Sequence, residues 1–167
     1  MKQTEAAGPA VLVVQHEEDA GLGLVGEHLE RDGLRLDVIR AGRGEALPET
    51  LGGHAGLVVL GGSINCEDEV DRLPAGAVPL PAGDDCPYQA FRVGSAGWAV
   101  QFHPEAGADT VAAWAAGDGG PLGPAGGDPA GAMASVREAE PELRAVRGAV
   151  SDAWGGVVRA HAHARGI

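Results

Sequence analysis

His103 and Glu105 flank Pro104 at the end of an apolar run, WAVQFHPEAG, residues 98–107. The run reads as a buried strand that breaks at the proline and delivers both side chains to one spot. A histidine oriented by a carboxylate is the acid/base part of nucleophilic catalysis. It needs a thiol or hydroxyl to activate. The chain has two cysteines, Cys66 and Cys86. Glu67, Asp68 and Glu69 follow the first, and Asp84 and Asp85 precede the second. Nearby negative charge raises a thiol pKa, the wrong direction for a nucleophile. Neither cysteine has an apolar strand before it and a helix after it. Both read as unreactive loop cysteines, with Cys66 the better substitute nucleophile.

Three other groups carry chemistry-bearing residues. His16, Glu17, Glu18 and Asp19 follow a strand end, where α/β sheets bind ligands. The carboxylates also read as helix-start charges that favour the macrodipole, so no metal site is expected. His161 and His163, two apart on a helix, point to different faces. GLGLVG, 21–26, lacks the spacing and the lysine of a nucleotide loop.

These residues need a scaffold, and the composition bounds it. The 167 residues fit one domain. They are 44% hydrophobic and only 4% aromatic, so Val, Leu and Ala must build the core. The net charge of −12 repels phosphate backbones and anionic lipid, which argues against nucleic-acid or membrane binding. No apolar run approaches a membrane span, and MKQTEAAGPA at the start has no signal-peptide core. Two cysteines make no disulfide framework, and a reduced cytoplasmic protein is expected.

AVLVVQ, 10–15, is a short all-apolar run, the pattern of a strand buried on both faces of a parallel sheet. Leu22, Val25 and Leu29 share a helix face, with Asp19 placed to cap its start and Gly33 its end. LRLDVI (34–39) and GLVVLGG (56–62) read as further strands, the second ending at Gly61 and Gly62. That order predicts a doubly wound α/β sheet with helices on both faces. Residues 63–87 read as an acidic, proline-rich loop. YQAFRV (88–93) and GWAVQF (97–102) form a β-hairpin, and ADTVAAWAA (108–116) a helix. The expected organisation is a domain over 10–116, a Gly/Pro-rich linker over 117–131 and a helical extension over 132–165. In the extension Val136, Ala139, Leu143, Val146, Val150, Ala153 and Val157 repeat at steps of three and four, which suits a docking face. Pro141 reads as the start of a helix or a bend in one.

LVVLGGSIN (57–65), CPYQAFRVG (86–94) and WAVQFHPE (98–105) together resemble class I glutamine amidotransferase domains. The resemblance is to the branch similar to the glutaminase domain of GMP synthase, and it covers 11–116 in order. It implies a flavodoxin-like fold with an incomplete parallel or mixed sheet and no cofactor. It implies glutamine as substrate, with a synthetase partner or a second copy of the chain as associate. In the family a cysteine thiolate on a strand-to-helix turn attacks the glutamine side-chain amide, and ammonia passes to an acceptor. Carried over, His103 is the general base and acid, Glu105 orients it, and Gly61 and Gly62 lie at the oxyanion loop.

The departure from the family is the nucleophile turn. No Gly-x-Cys-x-Gly stretch occurs between the double glycine and His103. A long segment is inferred to be missing, with the junction near Arg72–Ala75. The His103 strand is then expected either to close up on the 56–60 strand or to leave both as edges. Three readings follow: an inactive amidotransferase relative, a thiol-dependent glutaminase using Cys66, and a non-catalytic interaction module.

Overall fold

The computed structural model describes residues 8–61, 73–80, 88–117 and 129–167. The chain divides into two compact units, Met1–Leu60 with Pro104–Ile167, and Gly61–His103.

The first unit is built on a three-stranded parallel sheet in the order β2-β1-β3. Strand β1 (Ala10–Gln15) is central, and its Ala10 to Val14 are all buried. This is why the run carries no polar residue until its last position. Strand β2 (Arg35–Arg40) and strand β3 (Gly56–Val59) flank it. Val11 lies in register with Leu36 and Gly56, and Val13 with Val38 and Val58. The face carrying Val11 and Val13 joins Leu29, Leu34, Ala55, Val158 and Ala162 in one core. Burying each such Val or Leu contributes about 1.5–3 kcal/mol.

Helix α1 (Gly23–Arg31) links β1 to β2. It starts later than the sequence suggested. Asp19 does not cap it, no side chain does, and no acidic residue lies in its first turn. Glu17, Glu18 and Asp19 therefore are not helix-start charges. They belong to an irregular excursion after β1, which the Gln15 side chain holds by donating to the carbonyls of Glu17 (2.7 Å) and Glu18 (3.2 Å). The helix end follows the expectation. Gly33 has φ +80°, its N–H donates to the Glu30 carbonyl, and Leu34 N–H donates to the Leu29 carbonyl. That pair of bonds is a Schellman stop, which favours glycine at the left-handed position.

Helix α2 (Ala108–Gly117) follows the His-Pro-Glu turn, and helix α3 (Pro129–Arg165) runs on without a break through Pro141. The expectation that Pro141 starts a helix is therefore corrected. The stripe packs within the chain only in part. Val136, Ala139 and Leu143 are half-buried, but Val146 and Val150 are each 58% exposed, and Ala153 and Val157 are exposed too. The buried face is Gly148, Ser151, Gly155, Val158 and Ala162. A Cβ at Gly148 would come within 2.7 Å of the His28 ring, and one at Gly155 within 3.5 Å of Leu29. Small residues let α3 approach α1 closely. Asp152 pairs with His28 (3.2 Å) and Arg31 (3.3 Å), and Arg159 with Asp32 (3.2 Å), along the edges of that contact.

Helices α1 and α3 cover one face of the sheet. On the other, Leu57 and Val59 stay 43% and 60% exposed, so no helix among the described residues covers that side of β3.

The second unit holds an antiparallel sheet in the order β4-β5-β6. Strands β5 (Ala90–Val93) and β6 (Gly97–Val100) are the expected hairpin. Strand β4 (Ala77–Pro79) was read as loop because of its prolines. An edge strand tolerates Pro79, since its missing N–H takes nothing from a ladder. The run 98–102 is not a buried strand: Trp98, Val100 and Phe102 are 43%, 45% and 53% exposed. Among the described residues β3 pairs only with β1 and β6 only with β5, so both are edges of separate sheets.

Candidate functional site

His103 is the last residue of the second unit, and Pro104 is where the first resumes. The expected acid/base pair thus straddles a unit boundary, two residues apart in sequence. His103 is exposed, and it follows β6 after Gln101 has extended the hairpin with a 2.9 Å bond to the Gln89 carbonyl. The Gln101 side chain also donates to the Tyr88 carbonyl at 2.9 Å. The strand end that carries the histidine is therefore fixed by two bonds to the residues just before β5.

Glu105 is half-buried, and its backbone is anchored in the first unit. Its carbonyl accepts the Leu24 N–H at 3.1 Å. That N–H is one of the donors a helix start leaves open. The Glu105 carbonyl thus replaces the side-chain cap that α1 lacks. Gly23 makes the approach possible. It has φ +44°, and a Cβ there would stand 2.3 Å from the Glu105 oxygen. Sequence reasoning missed this glycine. Its signal is the glycine repeat of GLGLVG, just where the helix begins. Ala106 is 3% exposed, and Gly107 accepts the Val111 N–H at 3.0 Å to open α2. Three consecutive residues after Pro104 are thus tied into the core or into a helix.

Gly61 follows β3, whose pairing continues through Leu60 N–H to the Val14 carbonyl at 3.0 Å. Gly61 is exposed, with open space where a Cβ would lie. Gly62, Cys66 and Cys86 lie outside the described residues. Among the described residues no group of three or more His, Cys, Asp or Glu could hold a metal ion. Nor is any helix there long and apolar enough to cross a membrane.

Away from this turn, Asp37 of β2 is bound by the Arg35 guanidinium at 3.0 and 2.9 Å and by His54 Nε2 at 3.0 Å. The bond from Arg35 holds the Asp37 carboxyl below the usual carboxylate range. Burial opposes this, and His54 adds to it. The cluster lies where the loop before β3 returns to the sheet, at the opposite end of β3 from Gly61. It reads as a lock on that loop.

No protein-family model and no curated protein matches the chain significantly. Solved structures do. A glutamine amidotransferase from Thermotoga maritima matches with a TM-score of 0.71 at 15% identity, over 92% of this chain and 99% of that one. A glutamine amido transferase from Methylobacillus flagellatus matches with a TM-score of 0.62 at 19% identity, over 93% of this chain and 94% of that one. At such identities the likeness concerns architecture. The parallel sheet, the hairpin ahead of the His-Pro-Glu turn and the helical C-terminal region together have the fold of glutamine amidotransferases.

Proposed function

We propose that the chain is a glutamine amidotransferase-like protein that has lost hydrolytic turnover. The observation that carries this reading is the fold match over more than nine-tenths of the chain, 92% and 93%, to two glutamine amidotransferases. The residues agree with it: a His-Pro-Glu turn after a β-hairpin, and a parallel strand ending at glycine.

The inherited reaction has a defined balance. A thiolate adds to the amide carbon of the glutamine side chain, and the carbon–nitrogen bond breaks. Ammonia leaves with a proton from the histidine, and water then cleaves the thioester to give glutamate. His103 would move these protons, Glu105 would fix its tautomer, and the N–H groups near Gly61 and Gly62 would hold the oxyanion. Each role needs the thiol. The chain has no cysteine on a Gly-x-Cys-x-Gly turn, and carboxylates surround both cysteines it has. A base without a nucleophile performs no acyl transfer. The segment that carries the turn is missing near Arg72–Ala75 in this reading. A cytoplasmic protein with glutamine as ancestral substrate completes the proposal.

Covalent trapping tests it. The glutamine analogue diazo-oxo-norleucine alkylates an activated glutaminase thiol. Incubation followed by intact-mass analysis is expected to show no adduct. A stoichiometric adduct that disappears in Cys66→Ser would mean that Cys66 has become the nucleophile, and the proposal would fall.

A further inference from the structure

The carboxyl ends of β1 and β2 border an open cleft of about 270 Å³, lined by Gln15, His16, Glu18, Arg40, Gly42 and Arg43, together with Glu17. It lies wholly within the first unit. Open α/β sheets bind ligands outside the carboxyl ends of their strands. In the order β2-β1-β3 the connections diverge between β1 and β3, so this cavity sits one strand over from that crevice.

Three ties build it. Gln15 at the end of β1 binds the carbonyls of Glu17 and Glu18 and so sets the turn that leaves the strand. Arg43, in the short turn after β2, pairs with Glu18 of the turn after β1. Gly42 lies against the His16 carbonyl, where a Cβ would come within 1.9 Å. Only glycine permits that approach. A cavity fixed from both sides in this way is pre-formed. Its volume is just below the ~300–1,000 Å³ usual for small-molecule pockets, which suits a small metabolite.

The chain carries a net −12, yet here Arg40 and Arg43 balance Glu17 and Glu18, with His16 in the same lining. Glu18 is neutralised by Arg43, and Glu17 is itself engaged. His16 and Arg40 are exposed, and their side chains have no hydrogen-bond or ion-pair partner among the described residues. We infer that this cavity binds the carboxylate or phosphate group of a small metabolite. Arg40 supplies the planar fork that such oxyanions match, and His16 stands beside it as a second donor. The inference does not rest on the amidotransferase reading.

The test is an NMR titration of the full chain with sodium phosphate and, separately, with sodium citrate, at ionic strength held constant with sodium chloride. The expected result is saturable shifts of the His16 ring, Gly42 backbone amide and Gln15 side-chain amide signals with at least one of the two. Arg40→Ala should weaken that binding at least about tenfold, which corresponds to ~1.4 kcal/mol. His16→Gln should weaken it less. Saturation by phosphate alone assigns a phosphate-bearing ligand, and saturation by citrate alone a carboxylate. Non-saturating shifts with both anions, or wild-type affinity in both variants, would overturn the inference. Arg40 and His16 are exposed, so both variants are expected to fold.

Discussion

Gly23 shows how one residue joins chemistry to scaffold. Its left-handed backbone brings the Glu105 carbonyl onto the first turn of α1, and no side chain fits between them. Gly33 also has a positive φ, but a Cβ there meets nothing within 4 Å. The two glycines therefore separate backbone strain from steric displacement. Gly33→Ala is expected to cost ~1 kcal/mol, the strain alone. Gly23→Ala should cost more, up to about 3 kcal/mol, because it also displaces Glu105 and breaks the helix cap. Urea unfolding of both variants checks the order. Equal costs would show that the Glu105 contact contributes nothing.

Asp37 belongs to the same scale. Its carboxyl is held below the usual range, chiefly by Arg35. A depressed folded-state pKa adds stability that is fully present above the unfolded value. That stability is lost as pH falls through the folded one. Wild-type stability is therefore expected to decline as pH falls below about 4, the ordinary carboxylate value. Asp37→Asn should flatten part of that decline, with little change in its slope near neutrality. The effect is small, because Asp37 is 38% exposed and solvent screens the pair.

At the scale of elements, α3 is the most instructive. Two stripes at steps of three and four run along it. One is Val146, Val150, Ala153 and Val157, and the other is Gly148, Ser151, Gly155, Val158 and Ala162. Periodicity alone favours the first, since its side chains are more apolar. Close helix approach decides for the second, whose small residues bring α3 onto α1 and let Val158 reach the core. Val158→Ala should then cost ~2 kcal/mol. Val150→Ala should stay within about 0.5 kcal/mol of wild type. Thermal or urea unfolding separates them, and a reversed order would restore the first stripe as the packed face. Strand β1 was legible in the sequence because burial on both faces leaves an unbroken apolar run. The hairpin was legible because a short Gly-bounded loop joins two β-rich runs. The start of α1 was not, because its cap is a backbone carbonyl 81 positions away, from Glu105 to Leu24. No local sequence pattern encodes such a cap. Strand β4 was hidden by prolines that only an edge position accepts.

At the scale of the molecule, the described strands form two separate three-stranded sheets, one in each unit, and the chain passes from one unit to the other between His103 and Pro104. The motifs that carry the resemblance, QFHPE and the double glycine, were readable because they are continuous in sequence. What they act on was not readable from them, since a catalytic site is assembled from distant pieces. The fold match supplies the frame, and the sequence holds no Gly-x-Cys-x-Gly stretch, on which the proposed loss of turnover rests.

The most direct test of the whole account is glutaminase turnover. Glutamate and ammonia release would be measured on the folded wild type beside Cys66→Ser and His103→Ala. The account predicts that all three match the buffer blank while circular dichroism shows the wild type folded. Turnover by the wild type that both substitutions abolish would contradict it. Cys66 and His103 would then form a working pair, and the chain would be an active thiol glutaminase.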